Sequence, residues 1–157
     1  LDTHLHIDHI FGNNFMLDEY GLSARAHEAD SFWVEDAEKY AAMLGMRGIT
    51  PPPALGEYLK DGDTVKFGHS ELKVIHVPGH SPGGLCFYAE KDKLLIAGDV
   101  LFQGSIGRAD LPGGDMHQLL KGIREKLFVL PDDVRVVPGH GGFTSIGEEK
   151  RMNPFFQ

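Results

Sequence analysis

Apolar and polar residues alternate through the middle of the chain, and strands are expected there. TVKF, ELKVIHV, GLCFYAE and KLLIAG, starting at residues 64, 71, 84 and 93, are short apolar or alternating runs parted by glycine, proline and charged turns. VRVV at 134–137 predicts one more strand. Elsewhere the spacing is helical. Phe11 to Tyr20 reads as a short helix interrupted by Gly12, and Glu28 to Leu44 as a longer one with Asp30 or Ser31 as N-cap. Asp115 and Gln118 resemble a capping box, after which Met116, Leu119, Leu120, Ile123 and Leu127 should face the core. Ser145 and Glu148 form a similar pair before a final helix. ITPPPALG at 49–56 reads as loop, because Pro51 to Pro53 cannot donate backbone hydrogen bonds. Strands mixed with helices predict an α/β (α+β) fold of sheets covered by helices. A length of 157 residues suits one domain, spanning 1–157.

Composition narrows the partners more than the fold. A net charge of −8 argues against a nucleic-acid or anionic-membrane surface, which needs clustered Lys and Arg, and leaves a small-molecule substrate as the expected partner. No stretch approaches the roughly 18–20 apolar residues of a membrane span, and no signal peptide opens the chain. Cys86 is the only cysteine, so no internal disulfide can form, which fits the cytoplasm.

The chemistry is concentrated in HLHIDH at 4–9, three histidines and an aspartate in six positions. In an extended segment His4, His6 and Asp8 point to one side, and His9 joins them only if the chain turns there, as at the start of a helix. Imidazole nitrogens and carboxylate oxygens are ligands of Zn²⁺ and related cations, and four such groups can serve two ions if distant segments add more. VPGH at 77–80 and again at 137–140 supplies them: a strand ends, Pro-Gly turns the chain, and His80 or His140 is left at the strand's C-terminal end. In LLIAGDVLF at 94–102, Asp99 follows an apolar strand, where a carboxylate needs a partner, either a metal pair or an Arg or Lys. The chain opens only three residues before His4, so an N-terminal segment is expected to precede it in the parent protein.

The other candidates read more plainly. His76 shares a strand face with Leu72 and Val74 and is expected to pack. His69 lies in a hairpin turn, His117 in a helix's first turn, and His27 before an acidic stretch. Cys86 reads as a small core residue. GSIGRADLPGGD at 104–115 lacks the Lys-Ser/Thr ending of a phosphate-cradling loop. Its Arg108 could guide an anionic substrate or fold back onto Asp110.

Together THLHIDH, VPGHSPGG, AGDVLF and VPGHGGFT resemble the metallo-β-lactamase superfamily, and within it the glyoxalase II (hydroxyacylglutathione hydrolase) group. The resemblance implies an αβ/βα sandwich, here without the strands that precede THxHxDH in the family. It also implies a binuclear site in which His4, His6 and His80 hold one divalent ion, Asp8, His9 and His140 hold a second, and Asp99 bridges. Zinc is the first candidate, with iron or manganese next. The implied activity is hydrolysis of a thioester or related acyl substrate by a hydroxide shared between the ions, with Asp8 or Asp99 orienting it. The chain ends soon after NPFF, whereas strict glyoxalase II enzymes continue into a helical domain that contacts glutathione, so the identity of the substrate does not carry over.

Three rivals make distinct expectations. The same pattern resembles sulfur dioxygenases, which use one iron held by the equivalents of His4, His80 and Asp99. DTHLH at 2–6 resembles the opening of amidohydrolase barrels, but such a barrel takes about 250 residues and leaves both VPGH turns unexplained. A fragment could also bind metal and catalyse nothing.

Overall fold

The computed structural model describes residues 1–43 and 45–157. Its strands, in chain order, are β1 (Thr64–Phe67), β2 (Ser70–His76), β3 (Leu85–Ala89), β4 (Leu94–Gly98), β5 (Leu101–Phe102), β6 (Ser105–Ile106), β7 (Arg135–Pro138) and β8 (Thr144–Ser145). Six of them form one sheet in the order β1-β2-β3-β4-β7-β8, and β5 and β6 make a separate hairpin. Neighbours from β1 to β4 are antiparallel, whereas β4 and β7 are parallel. As a result β2, β4 and β7 run the same way and release the chain at one edge of the sheet. The fold is mixed α/β, as the alternating runs predict.

The two-residue period sends alternate side chains to opposite faces. Cys86 and Tyr88 of β3 join Leu95 and Ala97 of β4 on one face, while Leu85 and Phe87 join Leu72 and Val74 of β2 on the other. Burial drives the Cys86 thiol's pKa upward, so it is an inert core group at neutral pH.

The helices are α1 (Ile7–Ile10), α2 (Asn13–Tyr20), α3 (Ser31–Glu35), α4 (Ala37–Met43), α5 (Met116–Gly122) and α6 (Ile146–Met152). Gly21 ends α2 at φ 64°, a left-handed conformation that glycine adopts without strain. Asp115 caps α5 and Ser145 caps α6, each accepting the backbone N–H three residues on, as their pairing with Gln118 and Glu148 predicts. α5 and the π turn after it cover the first sheet face with Leu119, Ile123 and Leu127. Met116 departs from expectation, being 41% exposed. The close approach to the sheet edge comes at Leu119, whose backbone N lies 2.4 Å from where a Cβ on Gly79 would sit. Met116 lies a turn before that contact.

The single helix expected over Glu28 to Leu44 is three pieces: a 3₁₀ turn at Glu28–Asp30, then α3, then α4, with Asp36 outside helical geometry at φ −106°, ψ 25°. Its expected last residue, Leu44, lies outside the described residues. Asp30 does not cap with its side chain; the carboxylate turns inward instead. No described helix is long and apolar enough to cross a membrane.

Candidate metal centre

The chain enters HLHIDH beside the sheet edge, tied to β3 by the Leu85 N–H donating to the Thr3 carbonyl at 2.7 Å. The turn comes two residues earlier than His9. His6 is already the N-cap of α1, at φ −64° and ψ 148°, so Asp8 projects from a helical turn rather than from the extended face shared by His4 and His6. The correction is one of mechanism, because the chain reversal still brings all four groups together.

Three strand ends deliver the rest: His80 after β2, Asp99 after β4 and His140 after β7. Asp99 sits among the imidazoles, with His80 Nε2 3.6 Å from Oδ2, His140 Nε2 3.5 Å from Oδ2 and His9 Nε2 3.5 Å from Oδ1. Asp8 closes the outer side, 3.3 Å from His140 Nε2 and 3.6 Å from His9 Nε2. The ligating atoms of His4, His6 and His80 lie within 4.8 Å of one another, as do those of His4, His9 and Asp99 and those of Asp8, His9 and His140. All seven side chains singled out from the sequence converge. His69 and His117 are exposed elsewhere, and His76 packs against His27 with its Nε2 on the Pro82 carbonyl.

The donor chemistry fits cations. His80 Nδ1 donates to the Arg108 carbonyl at 2.7 Å, which leaves the Nε2 lone pair facing His4 Nε2 at 3.2 Å. Buried His6 Nε2 and Asp99 Oδ1 have no hydrogen-bond partner. A protein leaves such groups unpaired at a cost of roughly 1–3 kcal/mol each, and a divalent ion would satisfy them. Burial, aided by neighbouring imidazoles, drives the pKa of His4 far down and that of His6 to about 4; burial lowers His80 too. These three are neutral and ready to ligate at pH 7. His9 differs: burial lowers its pKa, but the Asp99 and Asp8 carboxylates outweigh that and raise it. Burial works equally against the Asp99 charge, and His9 with the other imidazoles prevails to lower its pKa.

Glycine makes the convergence possible. A Cβ on Gly139 would lie 2.3 Å from Asp99 Oδ1 and 2.8 Å from a His9 ring carbon. On Gly107 it would lie 1.9 Å from the Asp99 carbonyl and 3.0 Å from His80 Nδ1. Gly107 of the GSIGRAD loop therefore serves close packing behind the site and brings the Arg108 carbonyl to His80.

Sequence reasoning missed Asp30. Fully buried, it accepts from the Leu5 N–H at 3.2 Å, Ser81 Oγ at 2.8 Å and the Gly83 N–H at 2.6 Å, joining the HLHIDH segment to the turn that carries His80. The signal was its helical spacing with Trp33, Ala37 and Ala41, which puts a carboxylate on an apolar face. Trp33 was missed as well. It meets His6 edge-to-face at 4.4 Å and lines a cleft of about 650 Å³ that opens onto His6, Asp8, His80, Asp99 and His140. Arg108 lines that cleft and is bonded to Asp110 through two 2.7 Å contacts, which is the fold-back that the sequence left open.

Known proteins share the sequence and the fold over nearly the whole chain. The hydroxyacylglutathione hydrolase GloC of Haemophilus influenzae is 37% identical over 154 residues, 98% of this chain and 72% of that protein. The crystal structure of TTHA1623 in a di-iron-bound form superposes with a TM-score of 0.89 at 38% identity, covering 98% of this chain and 74% of that one. The BLEG-1 B3 metallo-β-lactamase gives 0.86, also at 38%, with the same coverage. The family model of the metallo-β-lactamase superfamily matches residues 3–140, from the first residue of THLHIDH to the histidine of the second VPGH, and the chain belongs to that superfamily.

Proposed function

We propose that the chain is a binuclear metal-dependent hydrolase of thioesters or related acyl compounds. His4, His6 and His80 would hold one divalent ion, Asp8, His9 and His140 the other, with Asp99 between them. The observation that carries this reading is the Asp99 carboxylate, within 3.6 Å of imidazoles from both groups. Two divalent ions held there would supply a Lewis acid for the scissile carbonyl and would lower the pKa of water from 15.7 to about 7. Asp8 and Asp99 orient the attacking water by accepting its hydrogen bonds. The Arg108 carbonyl fixes the orientation of the His80 ring. A thiol pKa near 8.5 lets the thiolate depart without a strong general acid. GloC, a hydroxyacylglutathione hydrolase by name, and the di-iron form of TTHA1623 support the reaction class and the metal count.

The test is metal analysis of the purified protein beside assays on thioesters, esters and a β-lactam, with oxygen uptake followed on a persulfide. Two ions per chain with thioester hydrolysis is the expected result. One iron with oxygen consumption would replace it with the dioxygenase reading, and full metal occupancy without turnover would leave a metal-binding protein only.

Acid should strip the two ions in order. Ligands must be deprotonated to bind. In the metal-free protein His9 has a raised pKa and takes up a proton at higher pH than His4, His6 and His80, whose values are lowered. Dialysis from pH 7 downward should therefore release the ion at Asp8, His9 and His140 first. Loss of both ions in one step, or in the reverse order, would contradict the assignment.

A further inference from the structure

We infer that the acyl group accepted here is large, apolar and uncharged, and that it lies along the cleft wall formed by Phe11, Trp33, Tyr40, Met46 and Ile106. This rests on the hydrolase reading above and adds the substrate class. The cleft opens directly on the proposed ligands, so whatever fills it is continuous with the scissile carbonyl. At about 650 Å³ it has the size of a small-molecule site. Trp33 and Tyr40 pack with ring centroids 4.2 Å apart, and Met46 adds an adaptable thioether. Such a wall favours alkyl or aromatic groups by removing their surface from water.

Charge points the same way. Among the described residues lining the cleft, Arg108 is the one permanent cation, and both its Nε and Nη2 donate to Asp110. Asp110 takes two of the five guanidinium N–H groups and offsets the charge, so the remaining donors offer an anionic acyl tail little net attraction. Glutathione carries two carboxylates, and this wall offers them no free cation. The chain's net charge of −8 adds general repulsion of anions.

Thioesters of one neutral thiol, N-acetylcysteamine, test this with acyl chains from acetyl to octanoyl. Burial of a methylene supports up to about fourfold per carbon, so kcat/KM should rise by about 100-fold or more across the series. Octanoyl should exceed both a carboxylate-tailed glutaryl thioester and S-lactoylglutathione. Met46→Glu should flatten the series. Asp110→Asn, a surface change that frees Arg108, should raise the glutaryl-to-hexanoyl ratio severalfold.

Trp33, the only tryptophan, gives a readout independent of turnover. Its emission should respond to the non-hydrolysable octyl thioether of the same thiol, with Kd weakening as the alkyl chain shortens. If thioesters are hydrolysed with no chain-length gradient, or S-lactoylglutathione is preferred, this inference falls while the hydrolase reading stands. If the Trp33 titration shows the gradient and no thioester is cleaved, the apolar cleft stands and the hydrolase reading falls. Absence of both overturns both.

Discussion

Replacing Asp99 by alanine is expected to empty the site and stop turnover together. The carboxylate stands within 3.6 Å of His9, His80 and His140, which reach it from three separate segments. Without it, neither proposed ion keeps the ligand that joins the two groups. Loss of a residue that merely supports a ligand costs about 10–100-fold in metal affinity or activity, so removal of a shared ligand should exceed 100-fold. Metal content per chain and kcat/KM are the measurements. His6→Ala should behave similarly, since its buried Nε2 has no partner other than the proposed ion. His69→Ala, in the exposed β1–β2 turn, should change neither quantity. Equal losses at His69 and Asp99 would mean that the histidines have been sorted wrongly.

The second large effect should come from a residue with no ligand role. Asp30→Asn keeps the shape but places an amide among three donors, the Leu5 and Gly83 N–H groups and the Ser81 hydroxyl. At least one donor then faces another in a fully buried position, and stranding buried donors should cost about 3 kcal/mol in all. For a chain of this size that lowers Tm by roughly 6–12 °C. Asp36→Asn removes an exposed contact to Lys39 and should leave Tm essentially unchanged. Metal affinity should fall with Asp30→Asn as well, because the carboxylate joins the segment of His4 and His6 to the turn of His80. Thermal melts with and without added zinc separate the two losses. An unchanged Tm would show that the three bonds carry no net stability.

The elements that were legible in advance were those set by local rules. Alternation located β1 to β4 and β7, and the caps at Asp115 and Ser145 were readable because each bond spans only three residues. Errors arose where a distant contact overrode a local preference. Asp30 is a good N-cap by type, but three buried donors from residues 5, 81 and 83 claim its carboxylate and the expected long helix breaks into pieces. Met116 has the spacing of a core residue, yet the close approach of α5 to the sheet edge comes a turn later, against Gly79.

The candidate site divides in the same way. Ligand chemistry is a property of residue type, so the HLHIDH cluster, the two VPGH turns and the aspartate after an apolar strand identify seven side chains without any coordinates. Their meeting depends on β2, β4 and β7 running in one direction, so that three strand ends separated by up to 62 residues share one edge. The cleft beside them was not legible, because Phe11, Trp33, Tyr40, Met46 and Ile106 have no common spacing and become one surface only when the chain folds. Sequence alone determined which atoms can bind a cation, since that follows from their electrons. Tertiary structure alone decided what reaches them, since the shape and charge of a cavity belong to the packing of distant segments and to no single residue.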